Sequence, residues 1–232
     1  MLSSAIDFLN TEKMVKNSFY LTYVFLLTTA TITFIEAMRT KVDKVRHILN
    51  LETCISVVAA YFYGTFMDKI NKSDNIDYEE INKVRYTDWA ITTPIMLLVL
   101  LLALLFNIKK KNSGPSGLSF YTFATVLAIN FFMLGAGYMG EVGMIDKTKA
   151  MMAGFAGFFA LFGYIYQKYI KPHKIFDNSM LFWAFFVFWI GYGLLYMSDD
   201  ITRNVGYNVL DLFAKCFVGI FFWAYFTKTF HL

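Results

Sequence analysis

Val205-Gly-Tyr-Asn-Val-Leu-Asp211-Leu-Phe-Ala-Lys215-Cys-Phe-Val-Gly-Ile220-Phe-Phe-Trp-Ala-Tyr225-Phe-Thr-Lys-Thr-Phe230 is a long apolar run with an acid and a base near its middle. A spanning helix needs about 20 mostly apolar residues, so this stretch can cross a bilayer. An ammonium near the midplane costs roughly 2.5–3.5 kcal/mol on insertion scales. Lys215 lies ten residues or more from either end, too deep to reach water with its stem. Asp211 stands four residues earlier, on the same helix face, where the two can pair. Two readings stand on this helix alone. One is a structural ion pair between packed helices, and the other is a functional site in which Lys215 forms a Schiff base with a carbonyl cofactor.

The rest of the chain agrees with a membrane setting. Hydrophobic residues make up 57% of the 232, and charged residues only 16%. A soluble domain of that composition would expose too much apolar surface to stay monomeric. Six further apolar stretches, at about 17–38, 50–67, 86–107, 118–140, 150–167 and 179–197, join the one at 205–230. Short loops separate them. The expectation is an all-α, seven-transmembrane-helix bundle forming one domain over residues 1–232. Residues 1–16 are amphipathic, which predicts a short surface helix with no removable signal peptide. Cys54 and Cys216 fall inside spans, and His47, His173 and His231 share no ligand spacing, so neither a disulfide framework nor a metal site is expected. Asn71-Lys-Ser73 is a glycosylation triplet of low specificity.

Loop charge sets the expected orientation. Arg39, Lys41, Lys44 and Arg46, then Lys109 to Lys111, then Lys168, Lys171 and Lys174, with Lys228, share one side. The other side carries Asp68, Asp74, Asp77, Glu79, Glu80, Glu141, Asp146, Asp199 and Asp200. The positive-inside rule makes the first side cytoplasmic, with the N-terminus extracellular and the C-terminus cytoplasmic. The net charge of +4 then reflects topology and gives no reason to invoke nucleic acid.

The third stretch reads Arg85-Tyr-Thr-Asp88-Trp-Ala-Ile-Thr92-Thr-Pro94-Ile-Met-Leu-Leu-Val99. At 3.6 residues per turn Arg85, Asp88, Thr92, Met96 and Val99 fall on one stripe facing the bundle interior. Running the helix from Arg85 puts Asp88 about a turn inside the membrane. Pro94 removes a backbone hydrogen bond in mid-helix.

Arg-Tyr-x-Asp-Trp-x-x-Thr-x-Pro on the third span, with Asp-x-x-x-Lys on the seventh, resembles the microbial (type-1) rhodopsins over nearly the whole chain. Gly137-Tyr-Met-Gly-Glu141-Val-Gly and Tyr207-Asn208 are similar to proteorhodopsin stretches. The resemblance implies a light-driven, non-enzymatic photoreceptor of the plasma membrane or a host-cell membrane, with all-trans retinal bound to Lys215 as a protonated Schiff base. It makes Asp88 the primary counterion and proton acceptor, Asp211 the second carboxylate, and Arg85 their extracellular neighbour, with Thr92 a turn above Asp88 and Tyr63 supporting the pair. Trp89, Thr93, Met96, Met133, Gly137, Trp183 and Phe186 match retinal-pocket positions, Met96 with green rather than blue absorption. Phe186-Val187 stands where many relatives have Tyr-Pro, and Asn130 where an aspartate is frequent. The resemblance also implies a homo-oligomer, trimer or pentamer, in the lipid bilayer.

The departures bear on subtype. Outward pumps of the family usually place a carboxylic proton donor eleven residues after the counterion, and here that position is Val99. Glu52, near the cytoplasmic end of the second span and three turns from Tyr63, is a surrogate donor on one reading and a first-turn helix residue on the other. Glu36 is a similar case. Three activities are compatible: an outward proton pump, a light-gated cation channel, and a photosensor acting through a separate transducer. An aspartate at position 88 argues against a chloride pump, and Ala59 and Cys216 lack the polar groups of a channel gate.

Overall fold

The computed structural model describes residues 2–72, 76–111 and 117–227. Seven helices long and apolar enough to cross a membrane run through them. They are α1 (Leu2–Arg39), α2 (Asp43–Lys72), α3 (Tyr78–Lys111), α4 (Phe120–Glu141), α5 (Lys147–Ile165), α6 (Phe176–Leu195) and a seventh in two parts, α7 (Asp200–Asp211) and α8 (Val218–Thr227). A π-helical turn, Leu212–Phe217, joins α7 to α8, and another, Tyr166–Ile170, extends α5. There is no strand among the described residues. Ser73 of the glycosylation triplet, Asp74, Lys228 and His231 lie outside them, as do the side chains of Lys110 and Lys111.

The helices overrun the apolar stretches that announce them. Tyr78-Glu-Glu-Ile-Asn-Lys-Val continues α3 outward through polar residues that no hydropathy window would include. Asp88 therefore stands ten residues inside its helix, about 15 Å along the axis from Tyr78, where the sequence reading began the helix at Arg85. Residues 1–16 likewise do not make a separate surface helix, because α1 is continuous from Leu2 to Arg39.

Two apolar clusters flank the bundle's polar centre. Leu97, Val99, Leu100, Leu101 and Leu104 of α3 pack with Val126, Leu161, Phe162, Phe182 and Phe185 on one side. Phe19, Leu26, Ala60, Tyr63, Phe66 and Cys216 form the other. Large apolar side chains also point outward, including Val57, Tyr61, Phe132, Phe159, Val187 and Leu194. In water such a surface would be an aggregation site, whereas lipid tails solvate it without cost.

Candidate functional site

The stripe expected on α3 is buried along its whole length: Arg85, Asp88, Thr92, Met96 and Val99 are all within 3% of full burial. Tyr63 of α2 and Asp211 and Lys215 of the seventh helix face it. The turn carrying Lys215 is π-helical, where an unbroken α-helix was expected. Single π turns inside helices recur at functional sites. Despite the changed register, the lysine still meets the aspartate.

Lys215 Nζ donates to Asp88 Oδ2 at 2.8 Å and lies 3.3 Å from Asp211 Oδ1. The two carboxylates differ in what else holds them. Asp211 accepts from the Tyr63 hydroxyl at 2.8 Å and the Tyr192 hydroxyl at 2.6 Å, with Arg85 Nη1 3.9 Å away. Asp88 Oδ1 has no hydrogen-bond partner among the described residues. Arg85 donates to the Tyr63 oxygen at 3.2 Å and to the side-chain oxygens of Asn204 and Asn208. Its guanidinium is ringed by Phe19, Phe66, Tyr63 and Tyr207, with centroids 5.1–5.8 Å away. Two buried cations thus face two buried anions, a formally neutral set in which no charge is stranded. Thr92 donates to the Asp88 backbone carbonyl at 2.9 Å and does not touch the carboxylate.

A cavity runs from Lys215 between α3, α4, α5 and α6. Trp89, Thr93, Met96, Met133 and Gly137 line it. So do Tyr86, Phe155, Phe158, Trp189, Ile190, Tyr192 and Tyr207. Glycines make room for an occupant. A Cβ on Gly137 would come within 2.7 Å of the Tyr86 hydroxyl, and one on Gly193 within 2.8 Å of the Phe155 ring. The Trp89 indole meets the Tyr192 and Tyr207 rings edge-on at 5.4 and 5.2 Å, bracing that wall. An elongated apolar molecule with one electrophilic end fits this shape, its end at the Lys215 amine.

Two pocket residues were misplaced by the sequence reading. Trp183 is 50% exposed and points away from the bundle, and Phe186 packs with Phe158, Phe162 and Phe182 outside the cavity wall. Trp189 and Tyr192 occupy the places given to them. The Tyr192 hydroxyl also reaches Asp211, a hydrogen bond that no phenylalanine could make. Asn130 donates to the Thr93 hydroxyl at 2.9 Å, and its own side-chain oxygen has no hydrogen-bond partner among the described residues. Glu52 is buried between α1, α2 and α8. A Cβ on Gly219, one turn beyond Lys215, would come within 3.1 Å of Glu52 Oε2 and 2.8 Å of the Thr29 methyl. Glu36 faces Arg39 near the end of α1, 3.8 Å away.

A family model described as bacteriorhodopsin-like protein matches residues 14–229. The chain belongs to the bacteriorhodopsin-like family. It is an integral, multi-pass membrane protein of the microbial rhodopsins, a family of light-driven ion pumps and channels whose members bind retinal. Viral rhodopsin OLPVRII, a solved crystal structure, is 53% identical, with a TM-score of 0.85 over 93% of this chain and 99% of that one. The blue-light absorbing proteorhodopsin of Gamma-proteobacterium Hot 75m4 is 25% identical over 158 residues, 60% of this chain. That match spans 59% of the proteorhodopsin's length. The crystal structure of a blue light-absorbing proteorhodopsin from Med12 shares the fold at 21% identity, with a TM-score of 0.72.

Proposed function

We propose that residues 1–232 form one retinal-binding unit that exports protons in the light, with its N-terminus outside and its C-terminus in the cytoplasm. The observation that carries the reading is the 2.8 Å contact of Lys215 with Asp88, at the end of an apolar cavity and beside a second, better-held carboxylate. Lys215 would hold all-trans retinal as a protonated Schiff base, and the bound group would supply light absorption and the isomerisation that displaces charge. Every other part of the task falls to side chains of this protein.

Asp88 and Asp211 hold the proton on the Lys215 nitrogen at rest, since a buried cation needs anionic partners. Asp88 is the acceptor. Asp211 has two tyrosine hydroxyls and a nearby guanidinium to stabilise its charge, whereas Asp88 has a bare oxygen. At an effective dielectric of about 20, parting the Lys215 nitrogen and Asp88 by about 1–2 Å from their 2.8 Å contact weakens their attraction by about 1.5–2.5 kcal/mol, which shifts the proton's balance toward the carboxylate. Arg85, on the extracellular side of both acids, stabilises Asp211 and bars return by that route.

Reprotonation needs a group on the cytoplasmic side, and the apolar packing around Val99 offers none there. Glu52 is that donor in this account, because its carboxyl lies against the turn that follows Lys215. The basic loops beyond α1, α3 and α5 support the cytoplasmic assignment of that side. Light-driven acidification of a suspension of cells expressing the protein with retinal tests the proposal. Export that persists in Asp88→Asn would refute the acceptor role.

A further inference from the structure

Where α4, α5 and α6 reach one end of the bundle, basic residues gather that the mechanism above does not use. The π-helical turn Tyr166–Ile170 carries Lys168, and Lys171, His173 and Lys174 follow it closely. Lys168 Nζ donates to the buried Thr122 hydroxyl of α4 and to the Tyr164 hydroxyl at 3.4 Å. It also lies 5.6 Å from the centre of the Tyr164 ring. All of these partners are neutral. Among the described residues no carboxylate comes within ion-pair distance of Lys168, Lys171 or Lys174. The other end of the bundle is built differently. There Lys69, Lys72, Lys83 and Lys147 each meet an acid, in turn Glu80, Asp68, Glu79 and Glu141.

Apolar surface adjoins this unmet charge. The Lys168–Thr122 bond brings the start of α4 alongside, where Phe120 is 79% and Tyr121 82% exposed. Phe176, two residues beyond Lys174 at the start of α6, is 79% exposed. Three membrane spans begin or end at this level, at Phe120, Ile170 and Phe176. That is headgroup depth, where aromatic rings are enriched and a lysine stem lies along apolar surface with its ammonium among the phosphates. A soluble anion would satisfy the lysines and leave the rings unserved. A phospholipid supplies both halves, a phosphate for the ammonium groups and an acyl chain for the rings.

We propose that this corner is a docking site for an anionic phospholipid of the adjoining leaflet. Lys168, Lys171 and Lys174 hold its phosphate, and Phe120, Tyr121 and Phe176 lie against its chains. Lys168 is the fixed point, since two hydroxyls already hold its ammonium and one N–H is left for the phosphate. Its side chain is thus ordered before the lipid arrives, which favours binding. A net negative headgroup is required, because a zwitterionic one balances its phosphate with a cation of its own. A lipid held here ties together the ends of α4, α5 and α6, the helices that wall the cavity beyond Lys215. Such docking is independent of which activity the Lys215 site performs.

Native mass spectrometry of the full chain in detergent, titrated with phosphatidylglycerol or with phosphatidylcholine of the same acyl chains, reads the docking directly. One lysine near an anionic lipid changes affinity about fivefold. Phosphatidylglycerol should therefore bind at least about fivefold more tightly than phosphatidylcholine. Lys168→Gln combined with Lys171→Gln should weaken it by at least about fivefold and up to about 25-fold, and the matching pair of arginine substitutions should restore it. Lys41→Gln combined with Lys44→Gln removes the same charge from the start of α2 and the loop before it, and should leave the affinity within about threefold. Circular dichroism checks the fold of each variant. Lys174→Gln alone, expected to cost about fivefold, carries the test if the first pair fails to fold. A smaller preference for phosphatidylglycerol, or equal losses in the two glutamine pairs, overturns the proposal. Displacement of the lipid by inorganic phosphate would make the corner a soluble-anion site and overturn it as well.

Discussion

Asp88 and Asp211 both touch the Lys215 amine, and the account requires the proton to go to Asp88. The preference can be worked from their other partners. Asp211 accepts hydrogen bonds from Tyr63 at 2.8 Å and Tyr192 at 2.6 Å, while Asp88 Oδ1 accepts none. Hydrogen bonds to a charged group contribute about 1.5–3 kcal/mol each, so the ionised form of Asp211 is favoured by about 3–6 kcal/mol over that of Asp88. The Coulomb attraction to Lys215 works the other way, because Asp88 is closer, 2.8 against 3.3 Å. At an effective dielectric of about 20 that difference is only about 1 kcal/mol, so the hydroxyls decide. Tyr63→Phe combined with Tyr192→Phe removes both and should let Asp211 compete for the proton. Light-minus-dark infrared spectra read the outcome directly. In the original protein one carboxylic acid band should appear on illumination, vanish in Asp88→Asn and survive in Asp211→Asn. In the double tyrosine variant a second band, absent in Asp211→Asn, should join it. An unchanged single Asp88 band in the double variant would refute the reasoning that the hydroxyls set the choice.

Lys215→Ala should yield a folded but colourless protein when retinal is added, and retained visible absorption would remove the covalent site. Glu52→Gln should slow recovery of the dark state by about a hundredfold if the carboxyl donates the proton, with added azide restoring the rate; an unchanged photocycle returns Glu52 to a structural role. At the start of α7, Asp199 caps the helix by accepting from the Thr202 N–H at 3.0 Å. Hydrogen bonds from Thr202 hold its carboxyl below the usual aspartate range. A depressed value in the folded state means that the linked stability is present above about pH 4 and lost as the pH falls through the lower folded value. Asp199→Ala should therefore lower the melting temperature at pH 7, with the gap narrowing in acid; a gap independent of pH would contradict the cap's charge dependence.

The sequence speaks most clearly where burial is expensive. Lys215, Asp211, Arg85 and Asp88 stand out because charges inside apolar stretches demand partners, and the 3.6-residue period places Arg85, Asp88, Thr92, Met96 and Val99 on one face. Helix α6 gives no such signal. It is apolar almost all round and holds two tryptophans, Trp183 and Trp189, each followed three residues later by an aromatic residue. Six residues turn a helix by about 240°, so the two face different sides, and nothing in the periodicity says which side is inside. Partners in space settled it, chiefly Asp211, which draws the Tyr192 hydroxyl inward. The π turn at Leu212–Phe217 was equally silent, since backbone register leaves no mark on composition. The outward extension of α3 escaped notice because Tyr78 to Val84 is polar, and an apolar window stops where the bilayer does.

A voltage-clamped photocurrent from cells supplied with retinal, in symmetric solutions and with no applied voltage, tests the central claim most directly. The account predicts an outward current at zero driving force, lost in Asp88→Asn. A current that vanishes at zero and reverses with the ion gradient would make the protein a channel, and a coloured protein with no current at any voltage would make it neither pump nor channel.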